Sequence, residues 1–405
     1  MPYHSNFQLD DFPTPYLTTH IPKEADVIIV GGGLAGLLTL YYLTKYTKLS
    51  VYLLEEGALG FHASGRDIGS VHMLDWFLAK KLVDNPEAYK NYIHLLKSNQ
   101  DELHKLITHE QIQCDYDKTG GFYVSSDAKE SDFLINLNKT LSAIAPNVLW
   151  PARVDGIATM QLLGTSFFMD SLFIPNDSVF STQKFLHGVA KVCEKNERRI
   201  LTNCIVENIT QSQEGINIQV RNRGMISTKN IVYCTGIYTG KVVPGVNKFL
   251  LARKQHVIVT EKVDKKLLDK LPRAGIVFNG IKLKVTDDRV MLQSLPLNLA
   301  DRFYDGEINM RACDNMKKLM RLVYPELNKV DVEFLWSKIT CTGVDGLPIC
   351  GEIHNRPKEF INIGFGTSNL NCIMLCAAAI KDMIVGKSVP EQLTKLFDPR
   401  RVNNV

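Results

Sequence analysis

Asp26-Val27-Ile28-Ile29-Val30 runs straight into Gly31-Gly32-Gly33-Leu34-Ala35-Gly36, and this junction restricts the fold more than any other segment of the chain. The β-branched run reads as a strand buried on both faces. The glycines match G-x-G-x-x-G, and a helical pattern follows through Leu37, Leu38, Leu40, Tyr41 and Leu43. A second apolar strand, Val51-Tyr52-Leu53-Leu54, ends at Glu55 with Glu56 beside it. In such a βαβ unit Gly31 permits the tight turn, Gly33 lets a pyrophosphate approach, and Gly36 lets helix and strand pack closely. The helix N-terminus, at Leu34 and Ala35, offers free N–H groups and partial positive charge to phosphates. An acid about twenty residues beyond the glycines accepts ribose hydroxyls, the place Glu55 takes, and it disfavours a 2′-phosphate. The motif predicts a bound dinucleotide but does not separate NAD from FAD.

Composition removes several alternatives. The 405 residues suffice for two or three domain-sized units, and the 45% apolar and 22% charged content is ordinary for a globular enzyme. A net charge of +4 with no Lys/Arg block gives no reason to expect nucleic acid or an anionic membrane as partner. The nine cysteines are scattered and contain no C-x-x-C pair, which argues against a disulfide framework or metal site and for a reducing, cytoplasmic location. Residues 1–23 lack the apolar core of a secretory signal and read as an arm. Val27–Leu43 is broken by glycines and Cys372–Ile380 is too short, so no membrane span is expected.

Leu59-Gly60-Phe61-His62-Ala63-Ser64-Gly65-Arg66-Asp67-Ile68-Gly69 resembles the G-x-x-A-S-G-R-N-x-G segment of the D-amino-acid-oxidase-like (DAO) family of FAD-dependent oxidoreductases, most closely its glycine/sarcosine oxidase and γ-glutamylputrescine oxidase branch. The resemblance continues in family order. It takes in Phe173-Ile174-Pro175, the strand pair around Ile200–Ile209, Ile231-Val232-Tyr233-Cys234-Thr235-Gly236, Asp345-Gly346-Leu347-Pro348 and Ile361-Asn362-Ile363-Gly364-Phe365-Gly366. It implies FAD as cofactor. Ala63, Ser64, Gly65 and Arg66 would run along it, the backbone of Val206 would touch adenine, and Thr235, Gly236, Asp345, Gly364, Gly366, Thr367, Ser368 and Asn369 would complete the site. Three departures stand out: Asp67 where Asn is usual, Lys338 after Trp336-Ser337 where glycine is usual, and Thr367-Ser368-Asn369 in place of Gly-His-Gly.

The expected fold is α/β: a Rossmann-like FAD-binding domain with a discontinuous α+β substrate domain on a mixed or antiparallel sheet. Segments 24–75, 172–240 and 331–392 would form the first, segments 76–171 and 241–330 the second, and 393–405 a tail. Trp76–Gln111 reads as two or three helices, Gly120–Val124 as a strand, and Glu207–Val232 as an antiparallel meander.

The resemblance also implies the chemistry, oxidation of the C–N bond of a small amine or amino acid, with hydride passing to flavin N5 and the imine hydrolysing. Reoxidation by oxygen would give hydrogen peroxide; a quinone or carrier acceptor, or flavin binding without turnover, are the alternatives. An alkylamine with a pKa of about 10.4 must first lose a proton, which costs about 4 kcal/mol at neutral pH. Desolvation or a nearby cation lowers that cost. Lys282 and Lys284, on one face of a strand, and Lys338 are the candidate catalytic cations. His62 and His72 titrate in the right range, although most such histidines are structural. Arg66 is expected to support the cofactor loop, while Arg253 and Tyr123 are candidates for holding a substrate carboxylate. In some members a cysteine near D-G-x-P carries the flavin. Cys341 lies too close to Asp345 for that spacing, so non-covalent FAD is expected.

Overall fold

The computed structural model describes residues 20–74, 76–99, 101–144, 152–195, 197, 199–213, 215–299, 307–366 and 370–402. Strand β1 (Glu24–Val30), helix α1 (Leu34–Tyr46) and strand β2 (Val51–Leu54) follow the sequence expectation. Val27 and Ile29 point into one apolar cluster with Leu37, Leu40 and Leu43 of α1, while Ile28 and Val30 enter a second cluster on the other face. That is why the run is apolar without alternation. Strands Ile200–Leu201, β2, β1, Gly224–Tyr233 and Glu359–Ile363 lie in parallel order, and Ile349–Glu352 closes the edge antiparallel. The start of Gly224–Tyr233 also pairs with a hairpin, Val206–Ser212 and Gly215–Val220, so the expected meander is present.

The second sheet runs in the order Leu297–Asn298, Leu250–Thr260, Val290–Gln293, Ile281–Val285, Gly275–Phe278, Gly121–Ser125, Asp170–Ile174, Ala152–Val154. Val332–Gly343 pairs with Leu250–Thr260 along almost its whole length. One expected segment boundary, at 172, therefore cuts through a strand of this sheet, and another, at 331, falls just before Val332–Gly343 and parts it from its partner Leu250–Thr260. The stretch expected as a tail is packed: Phe397 is fully buried, edge-on to Tyr92.

The two faces of the second sheet differ in chemistry. On one, Phe122, Ile276, Leu283, Leu292, Ile258 and Leu335 form an apolar cluster with Met316, Met320 and Val323 of the helix Met310–Val323. On the other, register pairs Lys282 with Gln293, Gln255 with Lys338, and Arg253 with Thr340. Directly paired residues share a face, so these polar side chains lie on one face, beside Val257 and Trp336. It is turned toward Asp67 and Ile68, because Ile68 packs with Val257, Val259, Met291 and Trp336 on that same face.

Candidate functional site

Parallel sheets bind ligands at the carboxyl ends of their strands. Here four such ends converge: Val30 into Gly31–Gly33, Leu54 into Glu55, Tyr233 into Cys234–Gly236, and Ile363 into Gly364–Gly366. Together with Ala63, Ser64, Val206 and the strand Lys338–Cys341 they line a cavity of about 670 Å3, within the range of about 300–1,000 Å3 usual for small-molecule sites.

The cradle is built from backbone. Gly31 sits at φ +110°, where an added Cβ would lie 2.7 Å from the Cys234 carbonyl oxygen. At Gly36 an added Cβ would lie 1.9 Å from the Gly31 carbonyl oxygen, so α1 starts this close to the turn only with glycine there. Gly33 caps α1 without any side-chain acceptor, and the Ser64 hydroxyl takes the Leu34 N–H at 3.0 Å. Glu55 accepts the Gly32 N–H at 2.6 Å and the Gly57 N–H at 2.8 Å. Burial pushes its pKa up, against the pull of those donors. Two polar atoms on the wall, Asn362 Oδ1 and Thr340 Oγ1, are buried without a hydrogen-bond partner among the described residues. Buried polar atoms are normally paired, so both mark where a ligand's polar groups fit. A glycine cradle, an open helix N-terminus and orphaned wall atoms suit a dinucleotide.

The opposite wall carries charge. Lys338 is buried, lines the cavity and donates to the Asp67 carboxylate. Two departures from the family pattern, 271 residues apart, thus meet as one ion pair. Burial raises the Asp67 pKa, but the Lys338 and Lys282 charges outweigh it and hold the carboxyl below its usual value. Burial draws the Lys338 ammonium downward, and Asp67 opposes that. Lys284 donates to the carbonyls of Ile68 (3.0 Å) and Phe180 (2.6 Å), and burial pulls it down to about 8.

The remaining sequence candidates sort by position. Gly31, Gly33, Leu34, Ala35, Glu55, Glu56, Ala63, Ser64, Val206, Thr235, Gly236, Gly364 and Gly366 lie on the cavity wall. Gly36, Gly65, Arg66, Lys282, Lys284 and Asp345 lie behind it or apart from it. An added Cβ at Gly65 would lie 2.0 Å from Gln183 Nε2, so its smallness serves packing. Arg66 braces the loop by donating to the carbonyls of Phe61 (2.8 Å) and Ser337 (3.0 Å). Asp345 is held by Arg401 at 2.7 Å in a turn capped by Leu347 N–H. Thr367, Ser368 and Asn369 fall outside the described residues.

His62 is on the wall, 3.5 Å from Glu56 and against Tyr238; burial lowers its pKa, against the pull of Glu56. Tyr123 is a core residue, fully buried, with its hydroxyl donating to the Leu74 carbonyl. Arg253 stacks over Phe77 and donates to Asn298 at 3.3 Å. Cys341 lines the cavity, but burial pushes its thiol up to about 12, which leaves it un-ionised at neutral pH. Among residues that sequence reasoning missed, Tyr238, Lys241 and Arg221 also line the cavity and belong to no spaced motif, while Asn362 lies inside the quoted segment Ile361–Gly366 but was not singled out. Among the described residues no cluster of His, Cys, Asp and Glu is fit to hold a metal ion, and no helix is long and apolar enough to cross a membrane.

With this geometry in place, comparison with known proteins is decisive on family. The model of the DAO family, FAD dependent oxidoreductase, matches residues 26–383. The chain belongs to that family. It is an FAD-dependent oxidoreductase, and the cradle described above is where the family's cofactor fits. Among curated relatives, mitochondrial sarcosine dehydrogenase of Mus musculus is 22% identical over 407 residues, covering 95% of this chain and 42% of that protein. The chain thus spans less than half the length of this relative. The crystal structure of glycine oxidase from Geobacillus kaustophilus shares the fold with a TM-score of 0.80 at 16% identity, over 93% of this chain and 98% of that one. That of L-proline dehydrogenase from P. horikoshii gives 0.78 at 14% identity, over 94% and 98%.

Proposed function

We propose that the chain oxidises the C–N bond of a small amino acid, with release of the imine to water. When bound, FAD supplies the hydride acceptor. The protein's part is to hold, orient and desolvate. In this reading Gly31, Gly33, Leu34, Ala35 and Ser64 hold the pyrophosphate and Glu55 the ribose. Val206 would lie toward the adenine, and Gly364, Gly366 and Thr340 toward the flavin ring. Cys341, with its thiol pushed up by burial, would hold the ring without a covalent bond.

The observation that carries the substrate class is the polar face of the second sheet. Lys282, Lys284, Lys338 and Arg253 lie buried on it, and Lys338 donates to the Asp67 carboxylate. Cations on such a face favour a substrate carrying a carboxylate, and a cation lowers the pKa of an amine brought beside it. The names of the relatives, a sarcosine dehydrogenase, a glycine oxidase and a proline dehydrogenase, point to the same class. Reoxidation by oxygen, giving hydrogen peroxide, is the first reading of the second half-reaction. One feature favours a second reading, a dehydrogenase passing electrons to a quinone or carrier. Asp67 neutralises Lys338 on the cavity wall and so weakens its attraction for a developing superoxide.

The test is anaerobic titration of the purified flavoprotein with sarcosine, glycine, L-proline and simple alkylamines. Bleaching of the flavin band by a compound with a carboxylate and not by its decarboxylated analogue supports the proposal. Bleaching by the alkylamines alone removes the carboxylate argument. Admitting air then separates peroxide formation from transfer to an added quinone.

A further inference from the structure

Behind the loop that carries Asp67, three side chains form a hydrogen-bonded chain that the cofactor motif does not require. Ser70 and His72 are two residues apart in extended backbone, so both project to the same side. The Ser70 hydroxyl meets His72 Nε2, and His72 Nδ1 meets Asp177 Oδ2 at 2.7 Å. The other Asp177 oxygen accepts the Met73 N–H at 2.8 Å, which fixes the carboxylate. All three residues are buried, and of the three only Ser70 reaches the cavity wall.

The second sheet is cut away to receive them. Gly275 and Gly121 are register partners on adjacent strands. An added Cβ at Gly275 would lie 2.6 Å from the Ser70 hydroxyl and 3.1 Å from His72 Cε1. One at Gly121 would lie 2.5 Å from Asp177 Oδ2. Two side-by-side glycines thus form a notch shaped to the hydroxyl–imidazole–carboxylate chain.

We propose that Ser70, His72 and Asp177 are a proton relay that deprotonates the substrate ammonium group before hydride transfer, with Ser70 as its contact to the cavity. This rests on the C–N oxidation reading above. The proton count closes. A proton leaves the substrate nitrogen for Ser70 Oγ as the Ser70 hydroxyl proton moves to His72 Nε2. The imidazolium that results keeps its Nδ1–H on the Asp177 carboxylate. No electrons move, and the freed amine lone pair is what makes hydride release possible. The proton returns through Ser70 when the product has left. A carboxylate held on one nitrogen of an imidazole fixes the tautomer whose other nitrogen accepts from a hydroxyl. Burial lowers the His72 pKa, with Asp177 and Asp67 opposing and Lys282 adding to it, and the Asp177 carboxylate is the group that stabilises the imidazolium when it forms. Edge-on to it stands Tyr123.

The test is Ser70→Ala and Gly275→Ala in the flavin-loaded protein, read two ways. The first readout is the pH profile of anaerobic flavin reduction by whichever of sarcosine, glycine or L-proline bleaches the wild type. We expect both variants to lose about 100-fold in rate at pH 7, with KM little changed. The loss should shrink as pH approaches the amine pKa of about 10.4, where the substrate is already free base. The second readout needs no turnover: the His72 Nδ1–H proton signal, far downfield and abolished by H72Q and D177N, should shift in both variants. A pH profile and proton signal that superimpose on wild type in Ser70→Ala overturn the relay alone. A flavin that no compound bleaches defeats the C–N reading on which it rests.

Discussion

The two walls of the cavity solve different problems with different parts. The wall from the first sheet is backbone: glycines, a helix start and strand ends, with Glu55 and Ser64 tying the turn together. The wall from the second sheet is side chain: Lys338, Thr340 and Cys341, with buried Lys282, Lys284 and Arg253 on the same sheet behind them. In the proposed reading, backbone holds the cofactor and side chains decide what is done with it.

Gly33→Val strikes the backbone wall. An added Cβ there meets the Ser64 hydroxyl at 3.0 Å and otherwise faces the cavity, so the fold tolerates it while the space for the pyrophosphate closes. The expected result is a folded, colourless protein, with FAD affinity down about 1,000-fold, roughly 4 kcal/mol. Circular dichroism and the flavin spectrum of the purified variant check it. Full flavin content would show that the cradle is not where the cofactor sits.

Lys338→Met strikes the other wall. It takes the ammonium from the Asp67 carboxylate, which keeps the Gly69 N–H, and removing one member of such a largely buried pair costs about 3 kcal/mol. Adding Asp67→Asn restores two residues of similar shape without charge, and most of the loss should return. Urea unfolding of the single and double variants measures this. The pH dependence has a definite sign. Asp67 ionises below its unfolded value, so its contribution is present above about pH 4 and lost as pH falls through the lower folded value. The acid limb of the stability curve should therefore flatten in the double variant. An intact acid limb there would mean that Asp67 is not the group responsible.

How much of this was legible in the sequence follows the same division. The βαβ unit was readable because glycine, helix period and acid must arrive in fixed order within about thirty residues. The segment 59–69 was readable for the same local reason. The Asp67–Lys338 pair was not: each residue registered only as a departure, and nothing in a sequence says that positions 67 and 338 touch. The stretch Val332–Gly343 was placed with the FAD-binding segments, and its pairing with Leu250–Thr260, about eighty residues away along the chain, was not readable. Nor was the Gly121–Gly275 notch visible, since a glycine that makes room for a distant side chain looks like any other. Local order survives in sequence; pairing across the chain does not.

Asp345 sharpens the boundary between the walls with the smallest effect. It was expected at the cofactor, and the structure instead binds it to Arg401 at 2.7 and 3.2 Å, with Lys81 and Tyr89 donating to its carbonyl. The Asp345 and Arg401 side chains keep part of their surface in water, which weakens the pair. Asp345→Asn should then cost no more than about 1 kcal/mol of stability. Lys81 and Tyr89 bind the backbone and are untouched, so the turn itself should survive. FAD affinity and the flavin absorption maximum should not move, because the side chain faces the C-terminal residues and not the cavity. A fall in FAD affinity without a fall in stability would move Asp345 onto the cofactor wall. It would also mean that the turn at Gly346 closes over the flavin rather than pinning the end of the chain.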